Sequence, residues 1–178
     1  ETWEWDGQSW SLRTTQGPAG RIRHCMAFDE SRGVTVLYGG SSGSGGSQHE
    51  YYELWEWDGQ SWTLGSNPGP GPSTRHSMVY DTARKLIVLY DDEHKWTWEW
   101  NGDHWAIRHH LEGPQLSERP IMSYDSSRER IVLFGAANGH YQGGETWEFR
   151  PPEGPHPDIN CDGNIDIADV LALIATWG

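Results

Sequence analysis

The chain has 178 residues, room for one ordinary domain and an appendage, and its 13 Lys and Arg against 26 Asp and Glu give a formal net charge of −13. No basic stripe exists to neutralise phosphates, which argues against nucleic acid as a partner and against adsorption to anionic membrane surfaces. No apolar run approaches the roughly 20 residues of a membrane span, and Cys25 and Cys161 lie too far apart in sequence for a disulfide framework or a paired-cysteine metal site.

The first element carries a phrase that the chain repeats. Trp3 to Trp10 reads WEWDGQSW, Trp55 to Trp62 repeats the same eight residues, and Trp98 to Trp105 reads WEWNGDHW. A shorter echo, Thr146-Trp147-Glu148-Phe149, follows. In Thr2-Trp3-Glu4-Trp5 the tryptophans alternate with polar residues, the pattern of a strand with both rings on one face. Asp6-Gly7, Asp58-Gly59 and Asn101-Gly102 are dipeptides that favour the left-handed backbone of a tight hairpin, which puts Trp10, Trp62 and Trp105 on a returning strand.

After each phrase comes a Gly/Pro-rich stretch and then a second landmark. This is Arg23-His24-Cys25-Met26-Ala27-Phe28-Asp29, then Arg75-His76-Ser77-Met78-Val79-Tyr80-Asp81, then Arg119-Pro120-Ile121-Met122-Ser123-Tyr124-Asp125. A short polar turn leads to the apolar runs Val34 to Tyr38, Leu86 to Tyr90 and Ile131 to Phe134, short and β-branched as inner strands covered on both faces are. The first and third runs end in glycine; the second has Asp91-Asp92 instead. No helical periodicity occurs before about residue 165. The unit is four strands in about 45 to 50 residues, the period of kelch propeller blades.

These landmarks, R-H-x-M-x-Y-D, the run ending in Tyr-Gly-Gly and W-E-W-D-G-x-x-W, resemble bacterial kelch-repeat proteins over residues 1–150. The resemblance implies an all-β fold: a partial kelch-type β-propeller of about three to three and a half four-stranded blades. The chain starts at Glu1 inside a strand pattern and carries no secretory signal, so it reads as the C-terminal part of a longer protein. Of the twelve Trp, those at fixed repeat positions are expected to pack between blades.

Residues 151–157 are a Pro/Gly linker, and beyond it the composition changes. Asp158, Asn160, Asp162, Asp166 and Asp169 place oxygen side chains at positions 1, 3, 5, 9 and 12 of a calcium loop, Gly163 falls at position 6, and Asn164 at position 7 offers its backbone carbonyl. Calcium needs such a set because it takes six to eight hard oxygen ligands from a flexible loop. Val170 to Trp177 then reads as a short amphipathic α-helix. A loop that ends in Asp and leads into one Leu-rich helix looks like a dockerin repeat, here residues 158–178. That resemblance implies calcium as cofactor, a protein partner (cohesin-like, or a second copy of the chain), and an extracellular, secreted protein.

Within the array, His24 and His76 share one repeat position, which points to a repeated structural hydrogen bond, and Cys25 aligns with Ser77 and Ile121 as a small packing residue. No nucleophile motif or phosphate-cradling loop is present, so no catalytic residue is assigned. Tyr51, Tyr52, Trp96 and Tyr141 are not repeated and fall near connections between strands; they are the ligand-binding candidates, with carbohydrate as the ligand that aromatic platforms suit. The expected function is a secreted kelch-repeat binding scaffold with a calcium-binding docking tail. The alternative is part of a carbohydrate-active or galactose-oxidase-like enzyme whose catalytic residues lie elsewhere.

Overall fold

A computed structural model describes residues 1–43, 49–65, 69–71, 74–108, 114, 116–137 and 144–149. These residues are all-β, with no helix among them. Strands β1 (Thr2–Trp5) and β2 (Trp10–Thr14) form a hairpin by themselves. Strands β3 (Cys25–Asp29), β4 (Val34–Tyr38), β5 (Leu54–Trp57) and β6 (Trp62–Leu64) form a four-stranded antiparallel meander. A second four-stranded meander is built from β7 (His76–Asp81), β8 (Leu86–Asp91), β9 (Trp96–Trp100) and β10 (Trp105–Arg108). Strands β11 (Leu116–Asp125), β12 (Arg130–Ala137) and β13 (Gly144–Phe149) complete a three-stranded sheet. The expected linker, calcium loop and C-terminal helix, residues 151–178, lie outside the described residues.

The β3–β4 turn and its copies come from one short motif, Asp-x-x-Arg followed by a left-handed residue. Asp29 Oδ1 accepts the backbone N–H of Ser31 (3.1 Å) and Arg32 (3.2 Å), while Arg32 Nε donates to Asp29 Oδ2 at 2.7 Å. Arg32 also reaches Glu56 Oε1 at 2.6 Å, tying the turn to the third strand of its sheet. The same arrangement joins Asp81, Arg84 and Glu99, and again Asp125, Arg128 and Glu148. Glu56, Glu99 and Glu148, one in each of the last three tryptophan phrases, are therefore the second partners of turn arginines, whereas Glu4 of the first phrase pairs with Arg13 of β2 at 3.2 Å. Burial alone would raise the Asp29 carboxyl, but the hydrogen bonds from Arg32 and Ser31 outweigh it and hold it below its ordinary value.

The Asp-Gly and Asn-Gly hairpins are wider than the two-residue turn that their dipeptides favour. Trp5 pairs with Trp10, leaving four residues in the loop. The Asp6 carboxylate closes it by accepting the N–H groups of Gln8 and Ser9, both at 2.8 Å. Only the glycine is left-handed, with φ of 100° at Gly7, 92° at Gly59 and 101° at Gly102. Asp and Asn serve as side-chain caps rather than as left-handed residues.

Successive sheets pack face to face in chain order, and their backbones approach closest along the first strands β3, β7 and β11. The main core lies between the two four-stranded sheets, where Val36, Tyr38 and Leu54 meet Met78, Tyr80, Leu89, Trp100 and Trp105. A second cluster joins Tyr90 to Leu116 and Leu133 of the last sheet. Tyrosine hydroxyls stitch the three larger sheets to one another. Tyr80 Oη accepts the N–H of Ser31, and Tyr124 Oη accepts that of Ala83, the equivalent turn residue one sheet on. In the other direction Tyr38 Oη donates to Gly71 O and Tyr90 Oη to Pro114 O, both at 2.6 Å. Gly69 admits this close passage: a Cβ there would lie 2.6 Å from Tyr38 Cε2.

The paired tryptophans are more buried in the two four-stranded sheets than in the first hairpin. Trp5 and Trp10 are 51% and 64% exposed, Trp57 is 5% exposed, and Trp100 and Trp105 are 4% and 7% exposed. The ring pairs keep one geometry throughout, with centroids 5.5, 5.5 and 5.3 Å apart. What changes is the neighbour. Trp57 Nε1 donates to Glu4 Oε1 and Trp62 Nε1 to Thr2 Oγ1, so the first hairpin covers the pair in the next sheet.

Candidate functional site

In each four-stranded sheet the connection between the second and third strands lies at the end where the first strand begins. Tyr38 pairs with Cys25 in one sheet and Asp91 with His76 in the other. The ring nitrogen His76 Nε2 lies 3.2 Å from Tyr38 O, which sets these ends of the two sheets side by side. This is the structural hydrogen bond expected of the repeated histidine, formed at His76. His24 occupies the same position one sheet earlier and is exposed.

Three of the four aromatic candidates fall at this end. Tyr51 is half-buried beneath Arg21, whose guanidinium carbon stands 4.0 Å from the ring centroid, and His49 meets its edge at 4.9 Å. Arg21 is held by Glu53 Oε2 (2.9 Å) and Gly39 O (3.2 Å) with its side chain 3% exposed. Burial would raise the Glu53 carboxyl, but hydrogen bonds from Trp55 and Arg21 hold it below its ordinary value. Tyr52, the next residue, is exposed. Tyr141 lies outside the described residues, as do Asp158, Asn160, Asp162, Asn164, Asp166 and Asp169.

Trp96, the remaining candidate, opens β9 and sits in a group that the strand pattern alone does not announce. The Asp91-Asp92-Glu93-His94-Lys95 turn is a further copy of the Asp-x-x-Arg turn, moved to the other end of the sheet and with histidine in place of arginine. Glu93 N donates to Asp91 Oδ1 at 3.0 Å, His94 Nδ1 lies 2.6 Å from Asp91 Oδ2, and Lys95 takes the left-handed position with φ of 60°. The His94 ring stacks on Trp96 with centroids 5.1 Å apart and planes 28° apart, and Trp98 meets Trp96 edge-on at 6.1 Å. Beneath them Lys95 Nζ bonds Asp92 Oδ1 at 2.6 Å and also donates to Leu116 O of the following sheet. The Asp92 side chain is 1% exposed.

Trp96 also breaks a repeated contact. Trp3, Trp55 and Trp147 each donate their indole N–H to a glutamate two residues earlier: Glu1 at 3.1 Å, Glu53 at 3.0 Å and Glu145 at 2.9 Å. At Trp98 that place is taken by Trp96, and the buried Trp98 Nε1 has no hydrogen-bond partner. A buried donor left so costs on the order of 1–3 kcal/mol. The register that aligns Glu1, Glu53 and Glu145 with Trp96 is visible in the sequence, as is the Asp91-Asp92 break in the glycine rule. His94 as an arginine replacement becomes visible only once the turn motif is known.

Elsewhere the reactive side chains are committed to packing. Burial pushes the Cys25 thiol far up, away from the thiolate that a nucleophile needs, and Cys25 Sγ lies 3.7 Å from Tyr38 O. Burial likewise raises the phenols of Tyr38 and Tyr90. Among the described residues no three His, Cys, Asp or Glu side chains gather as a metal site. No family model matches the chain, and a search of curated proteins finds no similar sequence.

Proposed function

We propose that this chain is a kelch-type β-propeller binding scaffold that recognises carbohydrate at the end of its sheets bearing the second-to-third strand connections. The reading is carried by one observation: at this end the repeat breaks its own rules. Asp91-Asp92 replaces a glycine pair, Trp96 replaces a glutamate, and Tyr51 and Tyr52 stand in a long insertion of the preceding sheet. Within a repeat array, shared positions maintain packing and departures in loops are free to serve recognition. Face-to-face sheets that converge along their first strands suit blades set around an axis, with the last sheet and first hairpin supplying partial blades. Aromatic rings flanked by hydrogen-bonding groups suit a pyranose, which offers an apolar C–H face and a rim of hydroxyls.

The tail, residues 158–178, is proposed as a calcium-folded docking element for a protein partner or a second copy, on a protein exported from the cell. Two measurements test the whole reading. The full chain is expected to be retained on an immobilised β-1,4-linked glucan, and a chain that passes through such a matrix without delay would remove the recognition half. Calorimetric calcium titration is expected to show one site that disappears in the Asp158→Ala/Asp162→Ala double variant; heat unchanged by those substitutions removes the tail half.

A further inference from the structure

We propose that copies of this chain associate head to tail, the last sheet of one copy packing on the first hairpin of the next as successive sheets pack within the chain. The proposal is independent of the carbohydrate and calcium readings above and rests on the two end faces of the sheet stack.

The first face belongs to β1–β2. Strand alternation puts Trp3 and Trp5 on one side of the hairpin. Thr2 and Glu4 lie on the other, where they accept the indole N–H groups of Trp62 and Trp57 in the next sheet. Trp10 and Leu12, paired with Trp5 and Trp3, join the tryptophan side. All four residues are between 46% and 64% exposed. Three half-open indoles and a leucine leave on the order of 400 Å² in water, a patch of the size that marks an interaction surface.

The second face belongs to the last sheet. Tyr38 and Tyr90 turn toward the sheet that follows each of them and are 0% and 3% exposed, whereas Phe134, at the same position of the repeat, is 55% exposed. Ile121, its cross-strand partner, is 72% exposed. Ser77, at the position of Ile121 one sheet earlier, accepts the Met122 N–H of the following sheet.

These faces are the two halves of a contact that the chain already makes. Between the four-stranded sheets, Val36, Tyr38 and Leu54 meet Trp100 and Trp105, with the Tyr38 and Trp105 ring centroids 5.5 Å apart. Trp5 and Trp10 repeat Trp100 and Trp105 in sequence and in ring-pair geometry, yet stay open to solvent. Phe134 repeats Tyr38 and is open too. The one chemical change on this second face suits such a partner. Tyr38 and Tyr90 donate their hydroxyls to Gly71 O and Pro114 O, in the linkers that lead into β7 and β11. The hairpin β1–β2 presents no such linker, and Phe134 has no hydroxyl to satisfy. Because the two faces differ, the contact is heterologous, one end of a copy against the opposite end of its neighbour.

Analytical ultracentrifugation of the full chain, with and without a calcium chelator, tests the proposal. The parent is expected to self-associate as its concentration rises, chelator or not. Salt should tighten the association, because it screens the repulsion between copies that each carry a net charge of −13. Trp10→Lys and Phe134→Lys each place a charge at an open site on one face. Both are expected to keep the far-ultraviolet circular dichroism of the parent and to self-associate at least about tenfold more weakly. Mixed together they should associate again as pairs, since each supplies the face that the other has lost. At dilutions that separate the copies Trp10 is a surface residue, so its truncation lowers the melting temperature only at high concentration. A parent that stays a single copy at every concentration overturns the proposal, each end face then answering to another occupant, the tail included. Association abolished by the chelator belongs to the tail and overturns it. Self-association that survives in Phe134→Lys sets hairpin against hairpin and overturns it as well, as does a mixture of the two variants that stays unassociated.

Discussion

The turn motif shows what single residues contribute. Its last position is left-handed in every described copy: Gly33 at φ 69°, Lys85 at 57° and Glu129 at 53°. A side chain with a Cβ costs roughly 1–2 kcal/mol in that conformation, partly offset by the lower entropy of its unfolded chain. Lys85→Gly and Glu129→Gly are therefore expected to stabilise the protein by about 0.5–1 kcal/mol each. The check is a urea midpoint that rises at unchanged slope. The position could be read from the sequence only through its first copy, where glycine already stands; Lys85 and Glu129 conceal the same backbone.

At the scale of an element, the β8–β9 turn differs from its relatives because it is anchored to the next sheet. Lys95 spans the buried Asp92 carboxylate and Leu116 O of β11, so one side chain joins two sheets. Removing the cation leaves Asp92, with its side chain 1% exposed, charged and unpaired. Lys95→Met is expected to cost about 3 kcal/mol, as breaking a buried pair does, and adding Asp92→Asn should recover part of that loss. Denaturant unfolding of the two variants checks both statements. By contrast, the existence of β8 and β9 was legible in Leu86 to Tyr90 and in Trp98-Glu99-Trp100, because strand alternation and β-branched runs are local signals. The Asp92–Lys95–Leu116 link was not, since it depends on a strand more than twenty residues away.

For the whole molecule, the energetic weight of a repeated residue depends on which sheet follows or precedes it. Trp10 and Trp105 are equivalent in sequence, pair with equivalent tryptophans, and differ in exposure from 64% to 7%. Trp105→Ala is expected to cost about 3–5 kcal/mol, the range for a buried aromatic truncated to alanine. Trp10→Ala should cost less than about 1 kcal/mol, since truncating a surface side chain leaves no cavity. Thermal unfolding of the two variants side by side gives the comparison, and equal losses would show that the first hairpin is covered in solution. The same dependence explains the candidate site. Tyr51 and Tyr52 were recognisable as unrepeated aromatics, but the guanidinium over Tyr51 comes from Arg21, thirty residues earlier, and turns that ring from a free platform into a packed one.

The sequence by itself determined the unit: four strands, Asx-closed hairpins and a motif repeated with its polar partners in register, all set by interactions within one sheet. Tertiary structure decided which copies are buried and which departures meet. Residues 3–10 and 55–62 are the same eight amino acids, yet Trp5 is 51% exposed and Trp57 5%. Identical local chemistry gives an identical hairpin. Burial is a property of the neighbour, because apolar surface leaves water only when another sheet lies against it.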